Sequence, residues 1–209
     1  MNVIFGTSGH AKEIYQLAKS NGIGIDFFIG LDRVNEYLNH IKIISEDDFF
    51  RIDPNQVDNI FLGIGNPSVR SKVHKSLRNN GYGDSKFPSL IHPDVIIDKI
   101  TDKIAIGMGC VITRGCILTT EIVLGDFVHL NINSTVSHES EIGNFTTVSP
   151  CCCICGNVRI GECVFLGAHS TIIDRISVCN NVVIGAGAVI IRNISEIGTY
   201  CGVPAKKIK

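Results

Sequence analysis

From position 100 to position 190 every sixth residue is Ile, Leu or Val, sixteen in succession, from Ile100 and Ile106 through Leu130, Val148 and Leu166 to Ile190. Glycine often follows the aliphatic, at Gly107, Gly125, Gly143, Gly161, Gly167 and Gly185. The fourth residue after it is usually small or β-branched, as at Cys110, Cys116, Ser134, Thr146, Cys152 and Ala188. An α-helix cannot hold this period on one face, because six steps turn it through about 600°. Short strands meeting at corners can, and a fixed six-residue repeat marks a parallel β-helix. The aliphatic points into the coil and the small residue packs beside the next one. The glycines are expected to take corner dihedrals that a Cβ disfavours. Three hexads close a triangular coil of 18 residues, so about five coils stack as a solenoid. An antiparallel β domain would need period-2 runs instead.

The formal charge of −1 over 209 residues sets up no general field for nucleic acid or an anionic membrane surface. No apolar run reaches the length of a membrane span, and Met1-Asn2-Val3-Ile4-Phe5 lacks the charged start and long apolar stretch of a secretory signal. The expectation is a cytoplasmic protein. Nine cysteines suggest disulfides, but Cys110, Cys116 and Cys152 hold the small inward position, where a thiol acts as a small hydrophobe. Cys155 and Cys179 stand where glycine stands elsewhere. In the run Cys151-Cys152-Cys153 with Cys155, neighbouring side chains point to opposite faces, so no metal site is expected.

Ahead of the repeat, residues 1–92 read as a small Rossmann-like α/β domain with a parallel sheet, and residues 93–209 as the solenoid with its tail. Strands are expected at Asn2–Phe5, Ile25–Ile29, Asn59–Ile64 and Phe87–Ile91, with an extended piece at Ile41–Ile44. One helix ends before Gly22, and another runs from Pro67 to about Asn79, capped by Asn66. Ser45 caps a brief third one. Gly6-Thr7-Ser8-Gly9-His10 joins a strand to a helix whose free N–H groups suit a phosphate. It is not the dinucleotide fingerprint. Ligands of open α/β sheets lie at the carboxyl ends of the strands. Ser8, Gly9, His10, Asp32, Arg33 and Gly65 all fall there and are candidates for binding a nucleotide-bearing substrate. The residues leave open that these are simply tight turns.

The order of these features has a familiar counterpart. Gly-Thr-Ser-Gly-His opening a helix, Leu90-Ile91-His92-Pro93, the hexads, the stretch His129 to Glu139 and the ending Gly202-Val203-Pro204-Ala205-Lys206 resemble the bacterial sugar acetyltransferases of the left-handed β-helix class. The nearest groups are those that N-acetylate nucleotide-linked amino sugars or O-acetylate sialic acid. The resemblance implies left-handed coils, a homotrimer, acetyl-CoA in a cleft between neighbouring solenoids, and an N-terminal domain that holds the acceptor's nucleotide. It implies His138 as general base and Glu139 as its orienting partner. Imidazole titrates near neutral pH, and a carboxylate on its other nitrogen fixes the tautomer. His138 is the second residue after inward Val136, so its ring should stand outside the coil. The resemblance gives the N–H of Gly156, one coil on, to the oxyanion. Relatives often carry a second His where this chain has Thr147; His129, in the same column, is a partial substitute or an ordinary side chain. Backbone groups at Ala168 and Ala186 are the implied pantetheine contacts, with Lys206 and Lys207 near the 3′-phosphate. Phe127, Phe145 and Phe165 are the expected apolar trimer contacts. The function implied is acetyl transfer to an amino group of a nucleotide-linked amino sugar, in the making of bacterial surface glycans. Sialic acid O-acetylation and a non-catalytic trimeric scaffold are the alternatives.

Overall fold

The structure, a computed structural model, describes residues 1–32, 34–97 and 103–209. Arg33 and Ile100 lie outside the described residues. The chain divides into two units, Met1–Leu90 and Ile91–Lys209.

The first unit runs β1 (Asn2–Phe5), α1 (Gly9–Ser20), β2 (Phe27–Gly30), β3 (Tyr37–Leu38), β4 (Ile41–Ser45), α2 (Glu46–Phe49), β5 (Asn59–Leu62) and α3 (Pro67–Asn79). The sheet order is β3-β4-β2-β1-β5. All its pairings are parallel except β3 with β4. That hairpin was not expected from the sequence. Asn39 and His40 both take positive φ, +48° and +67°, the backbone of the tight turns that suit strand twist. The α1 stripe of Ala11, Ile14, Leu17 and Ala18 is buried, as its spacing requires. Ser45 Oγ accepts from the Asp48 N–H at 3.0 Å and Asn66 Oδ1 from the Val69 N–H at 3.1 Å, so both expected caps are made. Phe87–Ile91 is strand only at Leu90–Ile91, and that pair joins the solenoid's sheet, not the α/β sheet.

The second unit is a parallel β-helix of two-residue strands on three faces. The first face runs from Ile96–Ile97 to Val189–Ile190, and the second from Ala105–Ile106 to Ser177–Val178. The third runs from Leu90–Ile91 to Val183–Ile184 and is extended by Thr199–Gly202 and Ala205–Lys207. Register advances by one coil at every pairing: His129 on Thr147, Thr135 on Cys153, Arg159 on Ser177. The hexad aliphatics from Ile112 to Ile190 fill the interior. The small inward residues are buried too, and three of the polar ones bond a corner carbonyl of the next coil. Ser134 Oγ donates to Ser149 O at 3.0 Å, Ser140 Oγ to Cys155 O at 3.0 Å and Thr146 Oγ1 to Gly161 O at 2.9 Å. Cys110, Cys116 and Cys152 do the same with sulfur, to Gly125 O at 3.1 Å, Asn131 O at 3.2 Å and Gly167 O at 3.1 Å. A thiol here is a small side chain with one weak donor.

Two expectations are corrected. The glycines that follow the aliphatics are not the positive-φ residues. Left-handed backbone falls two residues later, at Glu121, Phe127, Asn133, Glu139, Phe145, Cys151, Asn157, Cys163, His169, Arg175 and Asn181. The glycines serve close approach instead: a Cβ on Gly143 would lie 2.6 Å from the carbonyl carbon of Gly161, and one on Gly125 2.9 Å from the Asn144 N. The second correction concerns the aromatic column. Phe127 is 1% exposed and stacks on Phe145 with centroids 5.1 Å apart and planes at 1°, so this pair is satisfied within its own chain.

At the second-face corners a side chain from one coil caps a backbone N–H of the coil before it. Asp126 Oδ1 accepts from the Met108 N–H at 3.0 Å, Asn144 Oδ1 from Asp126 at 2.8 Å and Asn180 Oδ1 from Glu162 at 2.9 Å.

Gly143→Ala should therefore destabilise the protein by about 1–3 kcal/mol through overpacking. Gly187→Asn, at φ +67° with nothing within 4 Å of an added Cβ, should cost no more than about 1 kcal/mol, since Asn tolerates this backbone. Urea-unfolding midpoints check both; equal losses would return the dihedral role to the glycines after the aliphatics.

Candidate active site

Val136 fills the inward position, and the chain then turns through a left-handed corner at Glu139, φ +59°. The corner is held from both sides: the Glu139 N–H donates to Thr120 O at 3.1 Å, and His138 O accepts from the Asn157 N–H at 2.7 Å. The turn brings the Glu139 carboxylate back to its neighbour, with His138 Nδ1 3.0 Å from Oε2. A carboxylate only accepts, so Nδ1 carries a hydrogen, and in the neutral imidazole Nε2 is then the nitrogen with the lone pair. Both side chains stand outside the coil, 57% and 55% exposed. A cleft of about 410 Å³ surrounds them, lined by His138, Glu139, Gly156, Asn157, Asp174 and Arg175. The ring lies over Gly156, where an added Cβ would be 2.5 Å from Nε2. Glycine there leaves the basic nitrogen open to the cleft.

The Gly156 N–H, the expected oxyanion donor, is donated in this structure to Asp174 Oδ1 at 2.8 Å within the cleft that both residues line, the same kind of corner cap that Asn144 and Asn180 make. Thr147 is 3% exposed and His129 is fully buried; the covering of both side chains removes them as surface contacts for an acyl donor on this chain. Ala168 and Ala186 lie one coil apart at third-face corners, joined by the Gly187 N–H bond to Ala168 O at 2.8 Å. Ala186 has no side-chain oxygen, so the coil above does not cap the Ala168 N–H as Asp174 caps Gly156. Lys207 is engaged with Glu196 Oε2 at 3.0 Å. Lys206 lines a cavity of about 310 Å³ with Arg192, Tyr200 and Pro204. Arg192 was not singled out from sequence, although it stands in the column of His138, Gly156 and Asp174. That 18-residue count was the available signal for Asp174 and Arg192 alike. Among the described residues no group of three His, Cys, Asp or Glu converges to hold a metal.

In the first unit the expected loops do meet at the carboxyl edge of the sheet. A Cβ on Gly6 would lie 2.6 Å from Gly63 O, which makes room for the tight turn into α1. Ser8 is the N-cap residue and, like Gly9, is exposed; nothing lies within 4 Å of a Cβ at Gly9. That leaves open space at the helix start. Asp32 accepts from Thr7 Oγ1 at 3.0 Å, a partner the sequence did not single out. His10 is largely buried, with Nδ1 3.1 Å from Glu13 Oε2, and Gly65 lies beside its ring. Arg70, fully buried, donates to Ile64 O at 2.6 Å and Gly65 O at 3.3 Å and so pins the loop after β5. Burial pushes the His10 imidazole down; the Glu13 carboxylate opposes this and Arg70 adds to it.

Residues 3–77 match the family described as the PglD N-terminal domain. The acetyltransferase domain of PglB from Neisseria gonorrhoeae, solved also with acetyl coenzyme A, is 30% identical, with a TM-score of 0.89 over 99% of this chain and 98% of that one. This chain belongs to the hexapeptide-repeat sugar acetyltransferases. Its α/β unit followed by a parallel β-helix is their fold, the left-handed class that the resemblance implied. Within the group, the GDP-perosamine N-acetyltransferase of Escherichia coli O157:H7 is 25% identical over 99% of this chain and 95% of its own. The UDP-3-O-acylglucosamine N-acyltransferase of Bordetella pertussis is 30% identical over 64% of this chain. The chain spans only 39% of that relative's length.

His10 generates a pH dependence. Its folded pKa is depressed, so the unfolded chain takes up a proton that the folded form resists. The stability this contributes is present above about pH 6.5 and is lost as pH falls below it. Unfolding free energy measured at about pH 5.5 and pH 7.5 should fall at the lower value, and His10→Gln should flatten the difference. An unchanged slope in the variant would place the titration elsewhere.

Proposed function

We propose that this chain is an acetyl-CoA-dependent N-acetyltransferase that acts on the amino group of a nucleotide-linked amino sugar. One observation carries the reading: an imidazole whose Nδ1 is held by a carboxylate at 3.0 Å and whose Nε2 lies over a bare glycine in an open cleft. The family's relatives support it, being named acetyl- and acyltransferases. The acceptor amine attacks the thioester carbonyl while His138 Nε2 takes a proton from it. Glu139 holds the tautomer and stabilises the imidazolium. Collapse of the tetrahedral intermediate expels the thiolate, to which His138 returns the proton. A non-catalytic scaffold would have no need of this pair.

The remaining assignments belong to the same proposal. Ser8, Gly9, His10, Asp32, Arg33 and Gly65 are its nucleotide-binding residues. Free N–H groups at the start of α1 and the open space at Gly9 support them. The uncapped Ala168 N–H, with Ala186, supports a pantetheine contact, and Arg192 with Lys206 suits a phosphate. Acetyl-CoA and nucleotide sugars are both cytoplasmic metabolites, and no helix among the described residues is long and apolar enough to cross a membrane. The reaction is accordingly read as cytoplasmic. The protein is read as a homotrimer. Supporting this, the first face presents Ile117, Thr135, Cys153, Thr171 and Val189, with the exposed Ile173 and Ile191 beside them, a charge-free stripe suited to packing.

His138→Ala should lower turnover by about 10²–10⁴-fold and leave acetyl-CoA affinity unchanged; Glu139→Ala should cost less. Thiol release from acetyl-CoA with a panel of UDP-, GDP- and CMP-linked amino sugars measures this. Turnover of His138→Ala within twofold of the parent removes His138 from the mechanism. Light scattering should give three times the chain mass, and a fully active monomer would refute the trimer.

A further inference from the structure

The column that rises from His138 continues through Gly156 to Asp174, each one coil from the last. His138 Nε2 reaches Gly156 from one side, since an added Cβ would sit 2.5 Å from it. Asp174 Oδ1 reaches it from the other, accepting the Gly156 N–H at 2.8 Å. Two acceptors therefore converge over one residue with no side chain, in the cleft that both line. The cap itself does not need a charge. Asn144 and Asn180 make the equivalent bond with a neutral amide, while Asp126 makes it with a carboxylate. The charge at position 174 is thus surplus to the structural duty, and only one of its two oxygens is engaged in it. The charged groups that line the cleft are Glu139, Asp174 and Arg175, a formal excess of one negative charge.

We infer that Asp174 is the residue by which the cleft selects an amine over a hydroxyl as acetyl acceptor. The inference rests on the acetyltransferase reading above. An attacking amine has two hydrogens and a lone pair. One hydrogen goes to His138 Nε2, the other to the free oxygen of Asp174, and the lone pair to the thioester carbon. A hydroxyl has a single hydrogen, which Nε2 takes, and leaves the carboxylate oxygen without a donor from the acceptor. A site built to receive two hydrogens discriminates against a group with one. The same carboxylate attracts the ammonium form in which an aliphatic amine reaches the cleft at neutral pH. The overall step balances. The ammonium loses one proton to solvent, the C–N bond forms as the C–S bond breaks, and the second proton passes through His138 to the sulfur of the departing thiolate. The products are the acetamido sugar, the free thiol of CoA and one proton.

Asp174→Asn is the discriminating variant, because an amide oxygen keeps the corner cap. The assay follows thiol release from acetyl-CoA with UDP-, GDP- and CMP-linked amino sugars, each beside its hydroxyl counterpart. Asp174→Asn should raise the KM for the amine acceptor about tenfold and lower the amine-to-hydroxyl ratio of kcat/KM by a similar factor. The KM for acetyl-CoA and the unfolding midpoint should not move. Asp174→Ala, which also loses the cap, should lower the midpoint as well. A ratio unchanged in Asp174→Asn, with the parent active, overturns this inference alone. A parent that releases no thiol with any amino sugar overturns the acetyltransferase reading and this inference with it.

Discussion

Backbone pairing between successive coils is the constraint on which the rest depends. Each coil lies one strand spacing, about 4.8 Å, from the next, and between Ala105 and Ile190 the paired strands keep a register of 18 residues. Two consequences follow. Residues separated by 18 positions become neighbours, so the chain is a set of columns. And at the corners where glycine follows the aliphatic the backbones come so close that a Cβ would meet the next coil, as it would between Gly143 and Gly161 or between Gly167 and Ala186. The glycine column is the imprint of that close approach. In the left-handed column the Phe127 ring covers Gly109, φ +63°, and leaves no room there for a Cβ.

The corners carry a second cost. Glu121, Phe127 and Cys163 hold left-handed backbone at φ +54° to +55°, each a strain of order 1 kcal/mol that survives only where neighbouring structure over-determines it. The parallel ladder does this, since nearly every such residue donates its N–H one coil back: Phe145 to Asp126, Cys163 to Asn144, Arg175 to Gly156. At Glu139 the same geometry acquires a use. The corner turns its carboxylate onto the preceding residue, so two adjacent side chains that would otherwise point to opposite sides meet at 3.0 Å. The strain belongs to the fold, and the site exploits it.

The solenoid, its period, its inward residues and the outward placement of His138 were legible in the sequence because one steric rule repeats and each repeat confirms the others. The misreadings share a cause. The glycine position and the left-handed position are two residues apart, and periodicity alone does not say which of two fixed offsets bends the chain. Phe127 and Phe145 were correctly placed in one column, but a column can close on itself by stacking, and only the ring geometry distinguishes this from a free surface. Thr147 and His129 were also correctly aligned. Their burial, however, is not contained in a hexad count. In the α/β unit the β3–β4 hairpin escaped notice because Asn39 and His40 are not the Asn-Gly pair that announces such turns. Gly156 adds a partner that the repeat alone does not name: one coil further on, Asp174 accepts its N–H.

The cysteines show the same logic acting on reactivity. A thiol beside a thioester is a hazard, because a thiolate would take the acetyl group in place of the acceptor. Cys155 precedes Gly156 and is only partly buried, so access alone does not protect it. Its environment does: loss of hydration, the neighbouring Cys153 thiol and the Asp174 carboxylate push it up to about 11. At pH 7 a thiol of that strength is ionised in roughly one molecule in 10⁴, and the thiolate is the nucleophile. Asp174 contributes to this by its charge, the property that the corner cap does not require. The carboxylate inferred to receive the acceptor's second hydrogen thus also helps keep a competing thiol protonated.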